Sequence, residues 1–544
     1  MTTAIAAGAA RARPPTIPDS APVLAKRPLQ AGQKLAGTSR FGDDVWVLTP
    51  AIHQQHLRRM ILDFRTLPER FRPVAKELFY LLLTGDVPPD CASIKDIVTI
   101  RHNFSRVKYF LDWVEQRQVA ALAALTPADF EAFERRLTGE PTSPSTLFAR
   151  RRAARLFWFC RARLTADRLA FDPATLLEED ATAGGEVSSA RGREENATDR
   201  IPEPVHAPLL VWALRWVDDF ADDVLRAYSE WATLHPYTKR NRIRRGRPVV
   251  RGVPERLAAV LGRYRAEGRR LPGHEGAVNL SHLAREVQCS DRQLRVPRYW
   301  QRIQGAAREL GIDDHSYLRT TIGGRLDGEP WLQRIAYEDL GVLVRLLQAA
   351  CYVVVAYLSG MRDSEVKHLR RGCLSVWRDD VGRVVRRRVT SQAFKGEHDP
   401  AGVTATWIVT APVERAIEVL EALQPPSQPN LFALPPTSRA YWNERASTVR
   451  TTSTTNRDLA AFTQWISDYC NARGRADSIS HVHGQEWRLS TRQFRRTLAW
   501  FIARQPGGVI AGAMQYRHLR VQMFEGYANS QELHQTGEKL QVAC

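Results

Sequence analysis

Hydrophobic positions along the chain fall into helical spacing almost wherever they cluster. From about Leu67 onward, Phe71, Val74, Leu78, Leu81 and Leu82 recur near i, i+3 and i+4, the spacing that lines one face of an α-helix with apolar side chains. Similar patterns predict helices at about 94–115, 127–137 and 143–163, the last carrying Arg150, Arg151, Arg152 and Arg155 as a basic face. The first 40 residues or so are rich in Ala, Pro and Arg and lack periodicity, so residues 1–66 are predicted to be a partly disordered N-terminal arm. Residues 179–200, with Gly184 and Gly185 among clustered charges, have the composition of an exposed linker. The first part of the chain thus divides into arm, a small all-α unit over 67–178, and linker.

Helical spacing resumes at Ile201, where Pro202 and Pro204 open an apolar-periodic stretch. Residues 239–330 then read as an insertion, beginning with the basic run KRNRIRRGRPVVRG. Within it, helices over Ser281–Val287 and from Ser290, with Ser290 as N-cap, resemble a helix-turn-helix. Arg292 would then be a candidate DNA contact. The expected turn glycine is absent and Pro297 interrupts the second helix, so a plain helical hairpin fits equally. A long apolar helix follows Ile335. LSVWRDD, RVVRRRVT and TATWIVT then read as strands, the first two flanking an Asp380-Val381-Gly382 turn. Helical patterns return at about 412–423 and over 455–530, and residues 531–544 form a short tail. The fold class is mainly α with a small antiparallel β-sheet.

Composition changes this picture in one respect. Apolar residues make up 44% of the 544 positions and charged residues 25%, as in ordinary globular proteins. Lys plus Arg total 78 against 59 for Asp plus Glu, a formal charge of +19. That excess points to a polyanionic partner, nucleic acid before membrane. Seven scattered cysteines without a Cys-x-x-Cys pair argue against a zinc ribbon and a secreted disulfide framework, and for a reducing cytoplasm. No apolar run approaches ~20 residues, so no membrane span is expected. The acid-poor start would suit a transit peptide, but a basic arm fits better.

Three segments carry the candidate chemistry. In SGMRDSEVKHLRRG, Gly360 supplies a sharp turn, and Arg362 opens a helix with Glu365 three residues on. An arginine so placed offers a bidentate fork to a phosphate, steadied by the carboxylate. In LSTRQFRRTLAWFIA, Arg492 and Arg495 are three apart and are predicted to reach one anion from one helical face. In MQYRHLRVQMFEGYA, His518 precedes Tyr527 by nine residues. Taken singly, each segment is as consistent with a capped helix, a solvated basic face or a packing tyrosine.

In order and spacing the three together resemble the tyrosine recombinase (phage integrase) family. Its first box, Gly-x-Arg-x-Ser-Glu, is matched by Gly360 to Glu365. Its second, His-x-x-Arg-(His/Arg)-Thr, is matched by Arg492 to Thr497, and its third by His518 and Tyr527. The resemblance covers about 201–530. It implies a tyrosine-recombinase-type catalytic domain preceded by a helical core-binding domain, with Arg150, Arg151 and Arg155 as DNA contacts. It implies a site-specific recombinase or integrase that cleaves and rejoins double-stranded DNA through a 3′-phosphotyrosine at Tyr527, serving integration or excision of a mobile element. Arg362, Arg492, Arg495 and His518 would hold the phosphate and Glu365 would orient the pocket. Lys395, on the loop after the basic strand, would be the catalytic lysine. No cofactor or metal is implied. The implied partners are a homotetramer on two sites and an accessory directionality protein, in a bacterial nucleoid. Two departures stand out: Arg492 replaces the usual His, and Arg517 replaces the Gly before His518. A type IB topoisomerase would share this pocket, and a DNA-binding protein with a decayed site would share the fold. The His481-Val482-His483 pair resembles the two-histidine motif of metal-dependent nicking enzymes, but it sits in a stretch that reads as a loop.

Overall fold

The computed structural model describes residues 16–57, 59–87, 96–177, 199–234, 252–397, 399–437 and 449–517. Contacts divide the chain into two compact units: Met1–Glu194 with Phe394–Gly402, and Glu195–Ala393 with Val403–Cys544.

Among the described residues, the first unit is built on four α-helices: α1 (Arg72–Thr84), α2 (Ile97–Gln116), α3 (Pro127–Gly139) and α4 (Pro144–Phe159). Their bounds follow local chemistry. Pro127 and Pro144 stand in the first turn, where no amide hydrogen is needed. Thr126 and Asp129 form a reciprocal capping box, and Gly85 ends α1 in the left-handed region. The core is aromatic, with Phe110 and Trp113 each against Phe133 at 5.2 and 4.9 Å between ring centres. The same core takes in Val23, Leu24, Trp46 and Phe64, and short strands β1 (Val45–Val47) and β2 (Ile61–Asp63) pair antiparallel. Residues 16–57 and 59–66, expected as part of a loose arm, are therefore folded onto the helices. Their apolar residues pack from three-residue strands and single turns, which have no periodicity to read.

The second unit is arranged around α11 (Leu340–Ser359), whose side chains are nearly all buried. This helix is long and apolar enough to cross a membrane, yet it lies mostly inside the protein. Preceding it are α5 (Glu203–Arg215), a π-helical turn over Trp216–Phe220, and α6 (Ala221–Leu234). Following it are α12 (Asp363–Lys367), α13 (Ala411–Leu423), α14 (Thr452–Ala472), α15 (Thr491–Ala503) and α16 (Gly508–Gln515). Helix α11 packs against α5, α6, α13, α14 and α15. Strands β8 (Leu374–Arg378), β9 (Val384–Ala393) and β10 (Val403–Val409) form an antiparallel sheet with β9 central. Mainly α with small sheets is thus the fold class observed.

Between α6 and α11 lies a module with its own core, from Val253 to Ala306. It comprises α7 (Val253–Ala266), α8 (Leu280–Glu286), α9 (Asp291–Leu294) and α10 (Pro297–Leu310), with β3 (Leu271–His274), β4 (Ala277–Val278) and β5 (Ile312–Asp313) as a mixed sheet. The separate core stops short of residue 330, because Leu318, Trp331 and Ile335 pack into the main core. Buried Asp223 on α6 fixes that return, accepting from the amides of Gly323 and Gly324 and from Trp331 Nε1, each at 2.8 Å. A last small hairpin, β6 (Arg325–Leu326) with β7 (Glu329–Pro330), lies within the returning segment. Ser290 caps α9, as its sequence position suggests. Pro297, however, does not interrupt a second helix. That helix is one turn long, and Pro297 begins a new one at the position where proline fits best.

Candidate active site

Arg362 owes its place to the end of α11. Gly360 terminates the helix in the left-handed region at φ 68°, where glycine carries no steric cost. No other residue fits here, since a Cβ would lie 2.7 Å from the Tyr516 ring. Arg362 then caps α12 and Glu365 reaches back, accepting from the Arg362 amide at 2.6 Å and from its Nη1 at 2.8 Å. Glu365 is fully buried, while the Arg362 side chain keeps 19% of its surface open. Its Nε is buried and has no partner among the described residues. The guanidinium is therefore anchored on one edge with donor capacity to spare, as anion binding requires.

Beneath α12 lies a polar network that the sequence reading did not single out. Asp363 accepts from the Tyr352 hydroxyl and Thr452 Oγ1, each at 2.7 Å, and from Lys367 Nζ at 3.0 Å. Burial pushes the Asp363 carboxyl up, but Lys367 and the two hydroxyls outweigh it and hold it below its ordinary value. Burial likewise pulls Lys367 down, with Asp363 offsetting part of the effect. Ser391 on β9 donates to the Glu365 carbonyl at 2.6 Å, tying α12 to the sheet.

Helix α15 separates the two arginines expected to act together. Ser490 and Gln493 form its capping box. Arg495 is 5% exposed, whereas Arg492 faces solvent. The difference comes from the partners of Arg495. Its Nη1 donates to the Gly360 carbonyl and its Nη2 to the Tyr516 carbonyl at 2.8 Å. Tyr516 returns its hydroxyl to the Arg495 carbonyl at 2.7 Å, with the guanidinium 4.0 Å from its ring centre. Gln515, also unremarked in the sequence, donates to the carbonyls of Ser359 and Ile408 at 2.9 Å each. The end of α11, helix α15, strand β10 and the end of α16 thus meet at one corner, two residues from Arg362.

The chain leaves that corner at Arg517, whose φ of 53° lies in the left-handed region. Arginine here adopts the backbone conformation for which glycine is suited. His518 and Tyr527 lie outside the described residues. Lys395 is exposed beside Gly396, on the loop Phe394–Gly402 between β9 and β10. That loop groups with the first unit.

Three of the candidate DNA contacts are engaged within their own unit. Arg150 pairs with Glu140 at 2.6 Å, Arg155 with Asp172 at 3.3 Å, and Arg151 with Glu134. The acids lie 10 to 17 residues away, too far to read as partners from helical spacing. Arg292 is exposed on α9. His481 precedes, and His483 lies within, a tight turn closed by Val482 and Gln485. Among the described residues, no group of three or more His, Cys, Asp or Glu could hold a metal ion.

No protein-family model matches the sequence. No curated protein matches it either. Among solved structures, similarity is found to the XerA recombinase, at 12% identity and a TM-score of 0.24, over 86% of this chain and 97% of that one. It is also found to the Tn1549 transposon integrase in complex with circular intermediate DNA, at 14% identity and a TM-score of 0.23, over 57% and 98%. A third is the XerH site-specific recombinase bound to difH substrate in a pre-cleavage complex, at 10% identity and a TM-score of 0.25, over 85% and 94%.

Proposed function

We propose that the protein is a site-specific recombinase or integrase that cleaves and rejoins double-stranded DNA through a covalent link to Tyr527, in the service of a mobile element. The observation that carries this reading is the corner at Gly360, where buried Arg495 bridges the carbonyls of Gly360 and Tyr516. That contact brings the first two motifs together with the backbone entering the third.

The chemistry follows from the residue types. The Tyr527 phenol oxygen attacks a backbone phosphorus and the bond to the 5′-oxygen breaks, leaving a 3′-phosphotyrosine. Because the ester is exchanged rather than hydrolysed, the 5′-hydroxyl can reverse the step and no nucleotide energy source is consumed. Arg362, Arg495 and His518 hold charge on the non-bridging oxygens, a role for preorganised cations. Arg492, facing solvent, supplies a further donor when DNA covers it. A free tyrosine titrates near ~10, so the cationic surroundings ease loss of the phenol proton. Lys395 protonates the leaving 5′-oxygen as general acid. Glu365 positions Arg362 rather than reacting. In the same reading, four subunits act on two DNA sites, aided by a directionality protein.

The test uses a pool of nicked duplexes of randomised sequence, from which a cleaved strand end is lost and religation is blocked. Full-length protein should form an adduct that survives denaturant, and Tyr527→Phe should form none. Arg362→Ala should lower adduct formation by ~10²–10³-fold, as loss of a charge-stabilising donor does elsewhere. No adduct with the wild type, or an adduct with Tyr527→Phe, overturns the reading.

A further inference from the structure

The inserted module contains a helix, α10, with one face buried and the other exposed. Helix α10 buries Tyr299, Ile303 and Ala306 against the module core. The opposite face presents Arg298, Gln301, Arg302, Gly305 and Arg308 to solvent. Just before it, Arg292, Arg295 and Val296 are also exposed.

Arginines elsewhere in the module are differently placed. On α7, Arg256 donates to the Val287 carbonyl at 2.8 Å, Arg263 pairs with Glu286 at 3.1 Å, and Arg265 holds Glu309 at 2.8 Å. Those side chains stabilise the module. By contrast, the side chains of Arg292, Arg295, Arg302 and Arg308 make no ion pair with a described residue, and Arg298 meets only neutral Tyr299, donating to its hydroxyl at 2.9 Å and lying 4.6 Å from its ring centre. Asp291 and Glu309 form no ion pair with these arginines. Glu309 is occupied by Arg265, and Asp291 accepts from the Arg292 backbone amide at 2.9 Å. Gly305 lies mid-helix on the exposed face, where an added Cβ would meet nothing within 4 Å. Glycine weakens a helix interior, and here it leaves the backbone uncovered by a side chain.

We propose that α10 is a DNA-reading helix that enters the major groove of a duplex. A positive, groove-sized helix with a flat centre complements that groove, which admits one α-helix. From Arg298 to Arg308 the face runs ~15 Å, enough for about four base pairs. Arginine and glutamine are the side chains that pair with guanine and adenine edges, and exposed Val296 suits a thymine methyl. This inference rests on the reading of the chain as an enzyme of DNA. It adds a second set of base contacts, carried by the module rather than by the catalytic half. The recognition element is α10, not the one-turn α9 that a helix-turn-helix pattern would nominate.

The experiment selects duplexes from a random DNA pool with the full-length protein, then measures affinity and hydroxyl-radical protection on the enriched sequence. Arg298→Ala with Arg302→Ala should weaken binding at least tenfold and abolish protection over a block of about four base pairs. Gly305→Glu should do the same while its melting temperature holds or rises, since glutamate is the better helix former. That second variant separates lost recognition from lost folding. Wild-type affinity and footprint in both variants, or competition by duplex RNA equal to that by duplex DNA, overturns the inference. The covalent-adduct assay reports independently. If no adduct forms but the α10 variants lose their footprint, the enzyme reading fails and this one stands. An adduct with an unchanged footprint gives the reverse.

Discussion

At the scale of single residues, the corner depends on one missing methyl group. Gly360 combines a left-handed backbone with a fit so close that an added Cβ would lie 2.7 Å from the Tyr516 ring. Gly360→Ala should destabilise the second unit by about 1–3 kcal/mol, read as a fall in melting temperature, because strain and overpacking act together. Glu365 makes a different kind of contribution. Its fully buried carboxylate is matched to two donors of Arg362. Glu365→Gln keeps the shape, removes the charge and turns one acceptor into a donor. It should cost about 1–3 kcal/mol of stability and lower the covalent-adduct yield further than the thermal loss explains. Adduct yield measured well below the variant's melting temperature separates the two effects. Both residues were legible in the sequence, since a glycine before an arginine and a glutamate three further on have local causes. Gln515 and Tyr352 were not, and of the partners of Asp363 only Lys367 is local, because the others lie 11 to 156 residues away.

Among elements, helices with strong caps stood where their sequences place them. Pro127, Pro144 and the Ser490–Gln493 pair mark beginnings, and the turn before Arg383 separates β8 from β9 as its Asp-Val-Gly suggests. Elements shorter than a helical turn left no such mark, which is why residues before 67 looked loose. The α8–α9 pair illustrates the ambiguity: Ser290 caps correctly, but the identity of the following helix turns on whether Pro297 ends one or starts one. The module also carries a pH liability. Burial, with Arg285 and Arg269 close by, lowers His282 to about 4, and burial alone takes His206 in the main core to about 4. Between that value and the ordinary ~6.5, the unfolded chain binds protons that the folded chain excludes. Stability should therefore fall as pH drops through this window and level off near 4. Thermal melts from pH 7 to 4 check this, and His282→Gln should flatten the slope.

For the whole molecule, the charge of +19 is not spread over equivalent arginines. Some, such as Arg151 and Arg265, are spent on internal ion pairs. Others, such as Arg292, Arg302 and Arg492, face solvent. Composition alone counts both kinds alike, so it indicated the partner's charge but not the surface that meets it. DNA affinity should fall linearly on logarithmic axes of salt. If six or more phosphates are engaged, the loss between 50 and 200 mM is roughly a thousandfold or more. A titration in which affinity barely changes with salt would show that the free arginines do not meet phosphate.

The bridge from Arg495 to Gly360 and Tyr516 also has a meaning in time. It joins positions 135 and 21 residues away, and Gln515 then closes onto Ser359 and Ile408, 156 and 107 residues back. Contacts of such long range form late, because the intervening chain must be ordered before they repay its entropy. A chain still being synthesised holds Arg362 long before it holds Tyr516, and domains acquire structure as units while they emerge. The corner at Gly360 is therefore among the last features a nascent chain completes. A chain released before Tyr516 therefore lacks this corner altogether.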